Sequence, residues 1–82
     1  MNPEEILAHV DREPFVPFRL RMSSGRRFDI KHPENIKVGE DSVHVYVYSQ
    51  KDKRLYERVV ILGLSLMESI EPVDATLTGD AS

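Results

Sequence analysis

The stretch that decides the fold is residues 15–32, FVPFRLRMSSGRRFDIKH. Successive side chains of a strand point to opposite faces, so a period of two sorts this stretch into an apolar side and a charged side. Phe18, Leu20 and Met22 share one side of the first run, with Arg19, Arg21 and Ser23 on the other; in the second run Phe28 and Ile30 answer them, against Arg27, Asp29 and Lys31. A two-residue Ser24-Gly25 loop would set Met22 opposite Arg27 and Leu20 opposite Asp29, mixing inner and outer faces in a way that half-burial forbids. A three-residue loop, Ser23-Ser24-Gly25, with Gly25 in the left-handed position that costs other residues a Cβ clash, pairs Leu20 with Phe28 and Phe18 with Ile30. The same register places Arg19 opposite Asp29, a favourable pair, and Arg21 opposite Arg27, an unfavourable one. Screening by solvent, or an anion held between them, is the expected relief.

Upstream of the hairpin, residues 2–12 read as a helix. Asn2 is a good N-cap, Pro3 fits the first helical position, and Glu5 completes a capping box three residues after the cap. Ile6, Leu7 and Val10 form its apolar stripe, and His9 falls off that stripe toward solvent. So short a helix needs a surface to dock on, and the open end or a face of the sheet is its natural partner. Pro14 and Pro17 make the connector extended, with Phe15 as a core anchor.

Downstream, His32-Pro33-Glu34-Asn35 has the composition of a turn. Ile36 to Val38 and Val43 to Tyr48 form a second hairpin, whose parity demands an even loop; a four-residue loop pairs Val38 with Val43 and Ile36 with Val45. Val43, Val45 and Val47 then face inward, and His44, Tyr46 and Tyr48 share the other face. Residues 49–54 are a polar loop. Leu55 to Leu62 alternates at first and ends apolar on both faces, as expected of a strand covered on both sides where a sheet curls or meets a neighbour. Leu64 and Met67 suggest one helical turn before a short last strand, Glu68 to Glu71, ending at Pro72. The tail, residues 74–82, lacks any apolar period and reads as disordered.

The fold class is therefore α+β, mostly β: one small domain over residues 1–73, with an N-terminal helix (2–12) followed by a strongly bent five-stranded antiparallel sheet (15–73) or a small SH3/Sm-like barrel. The run PFVPFRLRMSSGRRFDIKHPENIKV, with VVILGLSLMESIEPV near the end, resembles a group of small bacterial proteins. That group shares a PFxPF opening, a Gly-Arg hairpin turn, a His-Pro-Glu turn and an Ile-Glu-Pro close. The resemblance covers residues 14–73 and implies no functional residues. The order of elements is also similar to that of Sm-like and SH3-like small barrels, some of which form RNA-binding rings. This chain lacks an Asp-x-x-Met-Asn-like segment in the third strand and an Arg-Gly or Lys-His pair before the last strand, as the Sm pattern has them, so that second resemblance implies a fold and not a ligand.

Composition narrows the function classes. The 82 residues carry 11 Lys and Arg against 14 Asp and Glu, a net charge of −3, which argues against a dedicated nucleic-acid binder. The charge is uneven, however, with Arg19, Arg21, Arg26, Arg27 and Lys31 concentrated in the first hairpin. With no cysteine there is neither a disulfide framework nor a thiolate metal site. No apolar run approaches the roughly 20 residues of a membrane span, and the N-terminus has no basic region followed by an apolar one, so a cytoplasmic location is expected, with no membrane partner. His9, His32 and His44 have no ligand spacing, Ser23, Ser24 and Ser49 have no base placed beside them, and the paired acids are explained by capping and turns. The reading is a non-enzymatic binding or assembly module, without catalytic, cofactor or metal sites, that self-associates through a strand edge or binds a protein partner. The alternative is a nucleic-acid or anion binder using Arg19, Arg21, Arg27, Tyr46 and Tyr48, since arginines beside an aromatic row can hold phosphates and stack bases.

Overall fold

The computed structural model describes residues 1–73; the expected disordered tail lies outside them. Helix α1 (Pro3–Val10) precedes six strands: β1 (Phe18–Met22), β2 (Arg27–Ile30), β3 (Ile36–Val38), β4 (Ser42–Tyr48), β5 (Tyr56–Gly63) and β6 (Met67–Pro72). Short 3-10 turns at Pro33–Asn35 and Leu64–Leu66 lie before β3 and β6. The strands form two antiparallel sheets of three, ordered β2-β1-β6 and β3-β4-β5.

The first hairpin has the register that side-chain parity requires. Phe18 pairs with Ile30, Arg19 with Asp29, Leu20 with Phe28 and Arg21 with Arg27. The loop is the three-residue Ser23-Ser24-Gly25, closed by the Met22 N–H donating to the Arg26 carbonyl at 2.9 Å, and Gly25 has φ +94°. Such a backbone angle puts a Cβ against the following carbonyl, which glycine alone avoids without cost. In the second hairpin Val38 pairs with Val43 and Ile36 with Val45, as expected, but the turn is tighter than four open residues. The Gly39 N–H donates to the Ser42 carbonyl at 2.8 Å, leaving only Glu40 and Asp41 outside the ladder.

The expected five-stranded sheet and closed barrel do not form. Pro33 has no N–H to continue a ladder, and the 3-10 turn it opens re-aims the chain, so β2 stays with β1 while β3 pairs with β4. The two sheets instead face each other across one core of Phe18, Leu20, Met22, Ile30, Ile36, Val43, Val45, Leu62, Leu64 and Met67, with Ile6 of the helix beside them. The chain passes from one sheet to the other through the 3-10 turn at Leu64–Leu66, which is fastened to each: the Leu64 N–H donates to the Asp41 carbonyl at 3.0 Å beside the β4–β5 ladder, and the Ser23 N–H donates to the Leu66 carbonyl at 2.8 Å beside the β1–β6 ladder.

Helix α1 begins as its sequence dictates: the Asn2 side chain accepts from the Glu5 N–H at 3.0 Å and the Glu5 carboxylate accepts from the Asn2 N–H at 3.4 Å. It ends at Val10, two residues earlier than expected. Ile6 is fully buried and Val10 packs against the core, whereas Leu7 is exposed. His9, expected in solvent, is half-buried, with its ring centroid 5.5 Å from that of Phe18. The cause is the docking angle: packing the helix near β3 turns Ile6 and Val10 inward, lays His9 over Phe18 and rotates Leu7 outward. Phe15 packs edge-on to Phe18 at 5.9 Å, as a core anchor should.

Strand β5 departs furthest from expectation. It is not covered on both faces: Leu62 is buried, but Val59 is 37 % and Ile61 65 % exposed. β5 is an edge strand, paired with β4 alone, and nothing among the described residues covers its outer face.

Candidate functional site

The charged face of the first sheet is more nearly self-neutralised than a two-stranded reading implies. β6 lies on the far side of β1, placing Glu71 opposite Arg19 and Ser69 opposite Arg21. Arg19 forms a two-pronged pair with Asp29, Nε to Oδ1 at 2.7 Å and Nη2 to Oδ2 at 3.2 Å. Arg21 reaches diagonally to Glu71, Nη2 to Oε1 at 3.2 Å. Arg21 is thus partly neutralised by a carboxylate from a strand some fifty residues on, while Arg27, on the opposite side of β1 from β6, still faces it and is exposed to solvent. Hydrogen bonding from Arg19 is the main cause holding the Asp29 carboxyl below its ordinary range, and the same bond raises Arg19.

The five residues put forward as a contact surface therefore separate. Arg19 and Arg21 are engaged on one face. Arg27, Tyr46 and Tyr48 line a groove of about 790 Å³ between β2, the first 3-10 turn, the far half of β4 and the loop that follows it. Phe28, Asp29, Lys31, Glu34, Lys53 and Arg54 also border this groove. Arg54 is occupied by Asp52, through Nε to Oδ1 and Nη2 to Oδ2, both at 3.0 Å, and that pairing lowers the Asp52 carboxyl and raises Arg54. Lys31 and Lys53 have no ion partner among the described residues, nor has Arg27. Lys31 was legible as a member of the basic hairpin; Lys53 had no signal in sequence, because only the fold brings its loop to β2.

The aromatic row is partly consumed by packing. Tyr46 lies edge-on to Tyr56 with ring centroids 5.4 Å apart, and the Tyr48 hydroxyl donates to the Glu34 carbonyl at 3.5 Å. The row is not covered by α1, which docks elsewhere; Tyr46 and Tyr48 are half-buried and His44 is exposed. On the same face Tyr46 stands opposite Val59 and His44 opposite Ile61, so the outer surface of the second sheet is an apolar and aromatic patch running to the β5 edge. A smaller hollow of about 360 Å³ lies between the first hairpin's tip and the end of β5, with Ile61 and Leu66 on its rim. Leu66 is exposed as well.

Among the described residues no three His, Asp or Glu side chains gather to hold a metal ion, and no helix is long and apolar enough to cross a membrane. Comparison with family models gives no match, and neither the curated proteins nor the solved structures contain a similar chain at a significant level.

Proposed function

We propose that this chain is a non-catalytic assembly module whose copies join through the free edge of β5, on a scaffold that is an opened form of the Sm-like or SH3-like small barrel. The observation that carries the reading is an eight-residue edge strand bearing exposed Val59 and Ile61. Natural edge strands of this length are usually blunted with inward charges, proline or a cover, because their unpaired N–H and C=O groups template pairing. β5 carries charge only at Glu57 and Arg58, toward one end.

The pairing geometry follows from the ladder. Val43, Val45 and Val47 of β4 stand opposite Leu62, Val60 and Arg58, and alternation of bonded pairs sends the main-chain groups of Glu57, Val59 and Ile61 outward. A two-fold contact between identical edges must be antiparallel. Centred on Val59, it sets Glu57 opposite Ile61 of the second copy and Arg58 opposite Val60; centred on Arg58, it would face like charges and lose stability. A chain of this size gains little from its own core, and merging two small sheets adds burial where it is scarce. The scaffold assignment is supported by the order β2-β1-β6 and β3-β4-β5 and by the 3-10 turn before the last strand.

Sedimentation equilibrium across a concentration series tests the reading. The mass rises above that of one chain with concentration and stays raised in high salt, since the contact is apolar and main-chain. Full burial of an isoleucine contributes about 1.5–3 kcal/mol, and with Ile61 65 % exposed roughly 1–2 kcal/mol per side chain remains to be gained. Ile61→Lys removes two such contributions in a two-fold dimer, weakening association about 30- to 1000-fold. A monomer at all concentrations, or an assembly indifferent to Ile61→Lys, refutes the reading.

A further inference from the structure

We infer that the groove between β2 and β4 takes an extended acidic peptide from another protein, adding it as a strand to edges left open on either side. The first support is the direction of the main-chain groups. Met22 and Arg26 form a hydrogen-bonded pair at the hairpin end, so alternation makes Leu20–Phe28 and Phe18–Ile30 bonded pairs and turns the N–H and C=O of Arg27 and Asp29 away from β1. On β4, Gly39 and Ser42 are bonded, so Lys37–His44 is bonded too, and the next outward groups on that side belong to Tyr46 and Tyr48. β3 begins only at Ile36 and pairs no further along β4 than Val45. The bond from the Ser49 N–H to the Leu55 carbonyl, at 2.8 Å on the β5 side, agrees with this alternation. Two short rows of unpaired donors and acceptors therefore border one groove, each with the two-residue repeat of a strand.

The second support is charge. Asp29 is held by Arg19 and Arg54 by Asp52, so what remains free in the groove among the described residues is Arg27, Lys31 and Lys53 against the carboxylate of Glu34. That surplus selects an acidic segment, as complementary fields select partners at other interfaces. Strand addition gains affinity from main-chain bonds and specificity from alternate side chains, and Phe28 and Val47 offer apolar contacts for every second residue of the guest. A single-stranded nucleic acid is less well served. It needs open aromatic faces and free arginines, whereas Tyr46 is packed on Tyr56, Tyr48 is tied to Glu34, and Arg19 and Arg21 are paired.

The inference uses edges other than β5 and stands or falls apart from self-association. The test takes the full chain, isotope-labelled, and a fluorescent decapeptide alternating Glu and Val. The peptide binds, and its affinity drops about tenfold when every second residue is N-methylated, because one edge then loses its donors. Lys31→Glu combined with Lys53→Glu weakens binding about threefold or more while leaving sedimentation unchanged. Hydrogen exchange slows on binding at the amides of Arg27, Asp29, Tyr46 and Tyr48. Four results overturn the proposal: no binding of the unmodified peptide, equal binding of the N-methylated one, protection at Val59 and Ile61 instead, or capture of an oligothymidylate in preference to the peptide.

Discussion

Replacing Gly25 by alanine isolates a single backbone angle. An ideal Cβ built on Gly25 meets nothing within 4 Å, so the substitution adds no packing clash, yet φ is +94°. Left-handed backbone costs an L-residue about 1–2 kcal/mol. Alanine also narrows the unfolded ensemble, which returns about 0.4–1 kcal/mol where the native angle is compatible and sets the offset here. The net expectation for Gly25→Ala is a loss of about 1 kcal/mol, or roughly 4–8 °C in Tm for a domain of this size. Gly25→Asn loses less, because asparagine tolerates the left-handed region better than alanine. Urea unfolding of the three proteins side by side gives the comparison, with equal m-values showing that the unfolded states are alike. If Gly25→Ala is neutral or stabilising, or if asparagine is no better than alanine, the turn is not the three-residue left-handed loop. The pairing of Leu20 with Phe28, and with it every surface assigned to the first sheet, would then be wrong.

Two further expectations follow from the core and the charged face. Ile6→Ala, at a fully buried position, costs about 3 kcal/mol and Ile6→Val about 1 kcal/mol; near-silence of both in chemical unfolding would mean that α1 is not docked. Arg19→Gln removes the group that depresses Asp29, so the Asp29 midpoint followed by NMR rises toward its ordinary value of about 3.9. A depressed carboxylate stabilises the native chain above its unfolded pKa, and that contribution is lost as pH falls through the lower folded one. Arg19→Gln is therefore less stable than the parent at neutral pH, and the difference closes in acid below about pH 4. A gap that persists at low pH would assign the role of Arg19 to packing of its stem rather than to charge.

Parity along residues 15–32 was enough to give the first hairpin, its loop length, the conformation of Gly25 and the four facing pairs. Burial of one face makes a one-residue slip expose every apolar side chain at once, so local order alone selects the register. The capping of α1 was legible for the same reason, since Asn2 and Glu5 meet within one turn. The second hairpin's register was legible too, though the tightness of its turn was not, because parity distinguishes odd from even loops and no more.

What sequence could not give depends on which distant strands become neighbours. Glu71 reaches Arg21 only because β6 lies beside β1, and a two-stranded reading had to leave the arginines facing each other. The apolar run ending in Ile61 and Leu62 looks covered on both faces when read alone; whether a second layer lies over the outer face of β5 is set by the third dimension, and among the described residues none does, leaving Ile61 exposed while Leu62 is buried. Arg27, Tyr46 and Tyr48 were candidates by type, but their separation from Arg19 and Arg21, and their meeting with Lys53 in one groove, follow from the break at Pro33. Side-chain alternation is a short-range property written in neighbouring residues, whereas the order of strands in a sheet is a global solution to burying one core, and only the folded chain fixes it.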